Sequence, residues 1–331
     1  MRFCNGILAC VLLNIFITSC FAADQKVIYM ALFRGVTEAE QGFMDYLNSQ
    51  VGLDVTYVFA DAESDRENVA NFPEDIRRIK PDLIYTFGTT VTLTIAGTEA
   101  DANANDNITD IPIVFNIVAD PVGAGLVNQM NNPSGRNLTG TSHLVPIPTQ
   151  VNAIQELGEF KHIGVLYNAN EQNSILQVKN IQQVIESGTT GMDITSFAID
   201  SDVDPAVAIR QAVSRAGDMN VDILYLPSDS YLIANGELIA VAASAEQIPI
   251  FSATDGPVQA GHALAGLVSK YYLVGQFAGF KALQILQGAQ VSEVPIETLT
   301  KFNTVINLDM ADKVDYYPPV NLLLNATLYR E

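Results

Sequence analysis

The sequence predicts a two-lobed α/β protein in which each lobe is an open parallel sheet covered by helices. Three observations predict it. Short runs of branched apolar residues alternate with longer amphipathic stretches, the pattern of strands buried on both faces between helices. The alternation breaks at the turn-rich Asn131-Asn132-Pro133-Ser134-Gly135 and then resumes in the same grammar. Once a leader segment is set aside, roughly 300 residues remain, room for two domains with a core each. A single (β/α)8 barrel is the competing architecture, because it also needs short βα units and a similar length. The central break favours two units.

In the first half, strands are expected at residues 27–31, 53–59, 83–87, 113–118 and 138–142. Helices are expected between them at 38–48, 66–79 and 89–100. Phe43 and Leu47, four apart, mark the buried face of the first helix, and Lys80-Pro81 ends the second. The second half continues with helices at 150–160, 174–187, 205–216 and 235–246, and strands at 163–167, 193–198, 221–226 and 249–252. The C-terminal part is less regular: a helix at 271–287 closed by Gly288, a strand at 305–308 and a helical turn at 310–314. The simplest packing sends the chain across the hinge more than once. The expected lobes are 24–142 plus about 256–290, and about 143–255 plus 291–331.

Residues 1–23 are read as a signal peptide: Arg2, an apolar run from Ile7 to Ile17, then small residues. Ile17-Thr18-Ser19-Cys20 matches a lipobox, whose cysteine is acylated and becomes the mature terminus; ordinary cleavage after Ala22 is the alternative. The expected location is the periplasm or the extracytoplasmic membrane surface. Cys4, Cys10 and Cys20 are the three cysteines, so the body carries no disulfide, zinc thiolate or cysteine nucleophile. With 17 basic and 37 acidic residues the chain carries a net charge of −20, which repels phosphate backbones and argues against nucleic-acid binding.

Parallel sheets hold small molecules beyond the carboxyl ends of their strands. Gly88, Thr89 and Thr90 follow such a strand and offer free N–H groups at the positive end of a helix, a seat for a carboxylate. The bland alternative is that Thr89 only caps that helix. Asp120 follows the next strand. Asn173 and Ser174 follow a third, where Ser174 with Gln177 fits a capping box. Asp229 and Asp255 follow two more and either receive an ammonium group or cap and turn the chain. His143, His162 and His262 show no metal-ligand spacing, and no nucleophile motif or complete dinucleotide fingerprint is present, so neither metal, cofactor nor catalysis is expected.

A longer set of matches points the same way. Pro81-Asp82-Leu83-Ile84-Tyr85-Thr86-Phe87-Gly88-Thr89, Asp120-Pro121-Val122-Gly123-Ala124-Gly125-Leu126-Val127, Asn137-Leu138-Thr139-Gly140-Thr141-Ser142 and Ile163-Gly164-Val165-Leu166-Tyr167-Asn168 occur in that order. Asn173-Ser174, Tyr225-Leu226-Pro227-Ser228-Asp229 and Asp255-Gly256 continue it. This text resembles the TrpX-like ABC-transporter solute-binding proteins, a branch of the type I periplasmic binding proteins. The resemblance implies two Rossmann-like lobes with a ligand in the cleft between them. It implies contacts at Thr89, Thr90, Asp120, Asn173, Ser174, Asp229 and Asp255, and a solute such as an amino acid, in several relatives an aromatic one. The partners implied are that solute and the permease and ATPase subunits of an importer, with the binding protein a monomer. The first strand-end loop, Leu32-Phe33-Arg34-Gly35-Val36-Thr37, departs from the family's usual text, and Arg34 there is placed to face a carboxylate or phosphate. A receptor for a signalling system, a nucleoside binder and an α/β enzyme are the alternative functions.

Overall fold

The computed structural model describes residues 25–101, 106–188 and 190–330; the expected signal peptide and Cys20 lie outside them. Its strands are β1 (Gln25–Leu32), β2 (Asp54–Asp61), β3 (Leu83–Phe87), β4 (Ile113–Val118), β5 (Leu138–Ser142), β6 (His162–Asn168) and β7 (Asp193–Ile199). They continue with β8 (Ile223–Leu226), β9 (Ile250–Ser252), β10 (Ala265–Val268), β11 (Glu297–Thr298), β12 (Asn303–Asn307) and β13 (Thr327–Tyr329). Two sheets result. One runs β11-β5-β4-β3-β1-β2 and is parallel throughout; the other runs β13-β12-β10-β9-β8-β6-β7 and is parallel except where β12 meets β10.

Alternation along β1 explains why helices cover both faces of the first sheet. Ile28, Met30 and Leu32 enter one core cluster and Tyr29 and Ala31 the other. The first cluster is closed by the helices Glu38–Asn48 and Tyr271–Leu286, the second by Phe72–Ile79 and Gly88–Ala96. The second lobe has its own larger core, built around Val165, Ile223, Tyr225 and Phe251.

The lobe boundaries differ from the expectation. Strand β10 pairs with β9 in the second sheet, so residues about 256–269 belong with the second lobe. Conversely β11 pairs with β5, so the first lobe reclaims residues up to 298. The chain therefore crosses between sheets near 143–146, 269–270 and 299–302. The short β10 and β11 were not legible because neither holds a full alternation. The expected helix at 66–79 is split into Arg66–Val69 and Phe72–Ile79, with Pro73 in the first turn of the second. The helix Gln172–Glu186 starts ahead of Ser174, so the capping box does not form.

The helices Glu38–Asn48 and Tyr271–Leu286 touch backbone to backbone. A Cβ on Gly42 would stand 2.1 Å from the Tyr272 carbonyl oxygen, and one on Gly275 1.9 Å from that of Ala39. No larger residue fits without moving a helix. We expect Gly275→Ala to lower the urea midpoint by the equivalent of about 1–3 kcal/mol. Equilibrium denaturation checks this; an unchanged midpoint would show that the helices separate at no cost.

Candidate functional site

The carboxyl ends of both sheets face one another, and strand order reverses in each between the strands that matter. In the first sheet β1 and β3 are neighbours; in the second, β6 and β8 are. Such a reversal opens a crevice. Here the two crevices meet in a small cavity with about 30 Å3 of free space. Phe33 and Arg34 come from beyond β1, Phe87 to Thr90 from β3 and its helix, and Ile117 from β4. Glu171 and Asn173 follow β6, Ser228 and Ser230 follow β8, and Ile233 and Tyr271 complete the walls.

One side of the cavity suits an anion. The helix Gly88–Ala96 begins after Phe87 with no side-chain cap. Its first N–H groups are therefore left for whatever occupies the cavity. Gly88 has φ +77°, a conformation that L side chains rarely adopt, and this sets the entry angle of the helix. Arg34 lies 5.2 Å from the centre of the Phe87 ring and donates to Ser230 Oγ at 3.5 Å across the cleft.

Beneath this side runs a buried polar chain. Thr37 donates from its backbone and hydroxyl to Glu40 Oε2, at 2.7 and 2.6 Å. The Tyr85 hydroxyl donates to Glu40 Oε1 at 2.7 Å and accepts from Asn116 Nδ2 at 3.1 Å. Asn116 Oδ1 in turn accepts from Thr141 Oγ1 at 2.7 Å and from the Ile117 backbone at 3.0 Å. Ile117 has φ +56°, strained for a β-branched residue, at the irregularity where β4 shifts register against β5. The Asn116 carbonyl holds that strained N–H, which places Ile117 in the cavity wall.

The opposite side suits a cation. Glu171 is nearly buried, and its carboxyl is pushed up to about 8 by desolvation first and by Asp229 second. Asp229 is raised too, chiefly by burial. Its Oδ1 accepts from the Leu232 backbone at 2.8 Å, while Oδ2 is buried without a hydrogen-bond partner. Gln177 clamps this loop through Ser228, accepting from its N–H at 3.0 Å and donating to its carbonyl at 3.2 Å. Asn173 Nδ2 donates to the same carbonyl at 2.6 Å. Tyr271 brings a buried hydroxyl without a hydrogen-bond partner of normal geometry, close to Arg34 and Ser228.

Of the residues singled out from sequence, Gly88, Thr89, Thr90 and Asn173 line this cavity. Thr89 does not cap its helix, which starts one residue earlier. Ser174 sits behind the wall, its hydroxyl accepting from the Asn168 N–H at 3.2 Å. Asp229 caps the helix Ser230–Ala234 and stands behind Glu171 rather than in the lining. Asp120 lies away from the cavity: it accepts from the Gly123 N–H at 2.8 Å and from Asn180 of the other lobe at 3.1 Å. The turn after Asp120 requires that first bond, and it turns the carboxylate away. Asp255 lines a neighbouring cavity, which shares Arg34, Ile233 and Tyr271 with the central one, and accepts from the Tyr329 hydroxyl at 3.0 Å. Glu171 and Tyr271 were missed; one precedes a helix and the other begins one, positions that carry no signal of their own.

Among the described residues no group of three or more His, Cys, Asp or Glu is placed to hold a metal, and no helix is long and apolar enough to cross a membrane. Comparison with known proteins defines the class. The family of ABC transporter substrate binding proteins matches residues 29–329, and the chain belongs to it. It is the solute-binding component of an ABC transporter, and that family works outside the cytoplasm. A tyrosine-binding protein of Clostridioides difficile is 29% identical over 282 residues, 84% of this chain and 76% of that protein. The ABC domain from Streptococcus pneumonia in complex with L-Trp is 25% identical with a TM-score of 0.79, covering 92% of this chain and 100% of that one. A ligand-free, open substrate-binding protein with adhesive properties from Clostridium difficile is 26% identical with a TM-score of 0.67, covering 92% and 99%. In this chain hydrogen bonds join the lobes across the cleft: Arg34 to Ser230, Asn180 to Asp120, and Arg66 to the Asn170 carbonyl.

Two buried groups contribute opposing slopes to the pH profile of the ligand-free protein. Glu171 keeps its proton to higher pH folded than unfolded, so its stabilisation is full below 4.5 and is lost as pH rises through about 8. His143 is held neutral by burial, down to about 3, so its contribution is full above 6.5 and lost as pH falls. Their slopes oppose one another between 4.5 and 6.5. We expect the melting midpoint of the ligand-free protein to decline above pH 6.5, and Glu171→Gln to flatten that decline. Calorimetric melting from pH 4 to 9 checks it; an alkaline limb identical in both proteins would refute the assignment.

Proposed function

We propose that this chain captures a free α-amino acid with an aromatic or large apolar side chain and delivers it, chemically unchanged, to the permease and ATPase of an importer. The observation that supports this most is the division of the cavity. Arg34 and the uncapped N–H groups of Gly88, Thr89 and Thr90 form its anionic seat, and Glu171, backed by Asp229, its cationic seat. Both seats adjoin Ser230, whose hydroxyl accepts from Arg34 and whose N–H reaches Glu171. A carboxylate and an ammonium one carbon apart match such a pair. Phe33, Phe87, Ile117, Ile233 and Tyr271 supply the apolar walls. The tyrosine and L-Trp named for the two relatives are aromatic, the chemistry such walls favour. Asp120 and Asp255 are no longer needed for the cationic end.

Titration calorimetry with L-tyrosine, L-tryptophan, L-alanine and a nucleoside tests the reading. We expect an aromatic amino acid to bind best and Arg34→Met to weaken it by about 2–4 kcal/mol, since the ligand carboxylate then loses its half-buried cation. Tighter binding of a nucleoside, or an unaltered affinity in Arg34→Met, would sink it.

We further infer that the mature protein works as a monomer held to the outer face of the membrane by lipid on Cys20, following Ile17-Thr18-Ser19. Mass spectrometry of the mature terminus should find diacylglycerol and an N-acyl group on Cys20. An unmodified terminus at Ala23 would show ordinary cleavage instead.

A further inference from the structure

The cationic seat contains two acids where a single ammonium group needs one. Glu171 faces the cavity and Asp229 stands directly behind it, both almost wholly removed from water. Among the described residues no ion pair joins either carboxylate to a cation. Asp229 Oδ2 has no hydrogen-bond partner of normal geometry, although Ser174 and the Asn168 N–H lie near the carboxylate and the Leu232 N–H serves Oδ1. Two buried like charges this close are costly, and burial outweighs the donors beside them, Asn173 and the Ser230 N–H at Glu171 among these. A proton on one of them is the remedy available to an empty cleft.

Resting on the amino-acid reading above, we propose that the Glu171–Asp229 pair holds one proton in the empty closed cleft and releases it to solvent when the ligand's ammonium enters. The proton leaves as hydronium or on buffer; the ammonium keeps its own three and takes over as the positive partner of the now fully ionised pair. No other group has to change state. Arg34 and Arg66 are the cations facing this region, on the first lobe. Arg34 donates to Ser230 and Arg66 to the Asn170 carbonyl; the Arg66 charge favours ionised Glu171, but by less than burial and Asp229 oppose it. Asp65 and Asp202 line the flanking cavity with Tyr231 and are exposed to solvent. Tyr271 and His143, the other titratable neighbours, are held in their neutral forms by burial. The consequence is functional: the binding protein fills more readily in neutral than in acid surroundings, and acidification favours release.

The experiment is calorimetry of L-tyrosine and L-tryptophan binding at pH 6.5 in two buffers of different ionisation enthalpy, with affinity measured from pH 5 to 8. We expect close to one proton released per ligand, and affinity rising about tenfold per pH unit below pH 7. Asp229→Asn keeps the helix cap but removes the second charge; proton release should fall and affinity at pH 6.5 should rise. The deaminated analogue 3-(4-hydroxyphenyl)propionate should bind without releasing a proton. Amino-acid binding that is independent of pH, with no proton exchanged, overturns the proposal and leaves the amino-acid reading standing. Failure of both amino acids to bind overturns that reading and the proposal with it.

Discussion

The contact between the helices Glu38–Asn48 and Tyr271–Leu286 governs where everything else falls. After two complete runs of strands, the chain must return from the second sheet to the first, and nothing in its local sequence aims it. Gly42 and Gly275 let the two backbones meet at a separation that no side chain tolerates, and Gly279 keeps the contact close along the next turn. Leaving no room for a Cβ maximises the dispersion contact between the helices and fixes their register. Once that register is set, Tyr271 at the start of the returning helix has one place to go, under the cavity beside His143, with ring centres 5.4 Å apart. Lys281 on the same helix then reaches Glu297 at 2.7 Å and the Pro295 carbonyl at 2.6 Å, pinning β11 onto the edge of the first sheet.

The cavity combines two kinds of electrostatics that need each other's distance. The anionic seat is built from backbone dipoles and one guanidinium, none of which changes protonation in the working range of a protein. The cationic seat is built from carboxylates, which do. Burial strengthens attraction to an incoming charge and raises the cost of a vacant site. On the reading proposed above, a fixed positive side and a protonatable negative side together let the cleft close while empty without stranding two bare anions. The strain at Ile117 serves the same placement of groups. Its amide is held by Asn116, and the hydroxyls of Tyr85 and Thr141 hold Asn116 in turn. A network this fully satisfied keeps a wall residue in a conformation it would not choose.

Much of the fold was legible because parallel strands buried on both faces leave an unmistakable apolar run. The strands at 83–87, 113–118 and 138–142 and the helix at 38–48 coincide with their expected limits. Gly88, Thr89, Thr90 and Asn173 could be read as site candidates from their place after a strand alone, and the cavity includes all four. Asp120 and Asp229 do not line the cavity, and for one cause. A strand-end aspartate has several nearby N–H groups, and which it takes depends on the turn it enters. Asp120 turned onto Gly123, and Asp229 capped Leu232.

By itself the sequence determined the alternation, the two-sheet architecture, the acidic thiol-free body and the family to which it belongs. The first three follow from local periodicity and composition, which are read residue by residue, and the family from the resemblance of its motifs to known solute-binding proteins. Only the tertiary structure decided that residues about 256–269 stay with the second lobe, because a four-residue strand is placed by its neighbours and not by its own pattern. It also decided that Glu171 faces the cleft with Asp229 behind it. Those residues are 58 positions apart, and what makes them a pair is the adjacency of β6 and β8 in one sheet, a non-local pairing that no window of sequence contains.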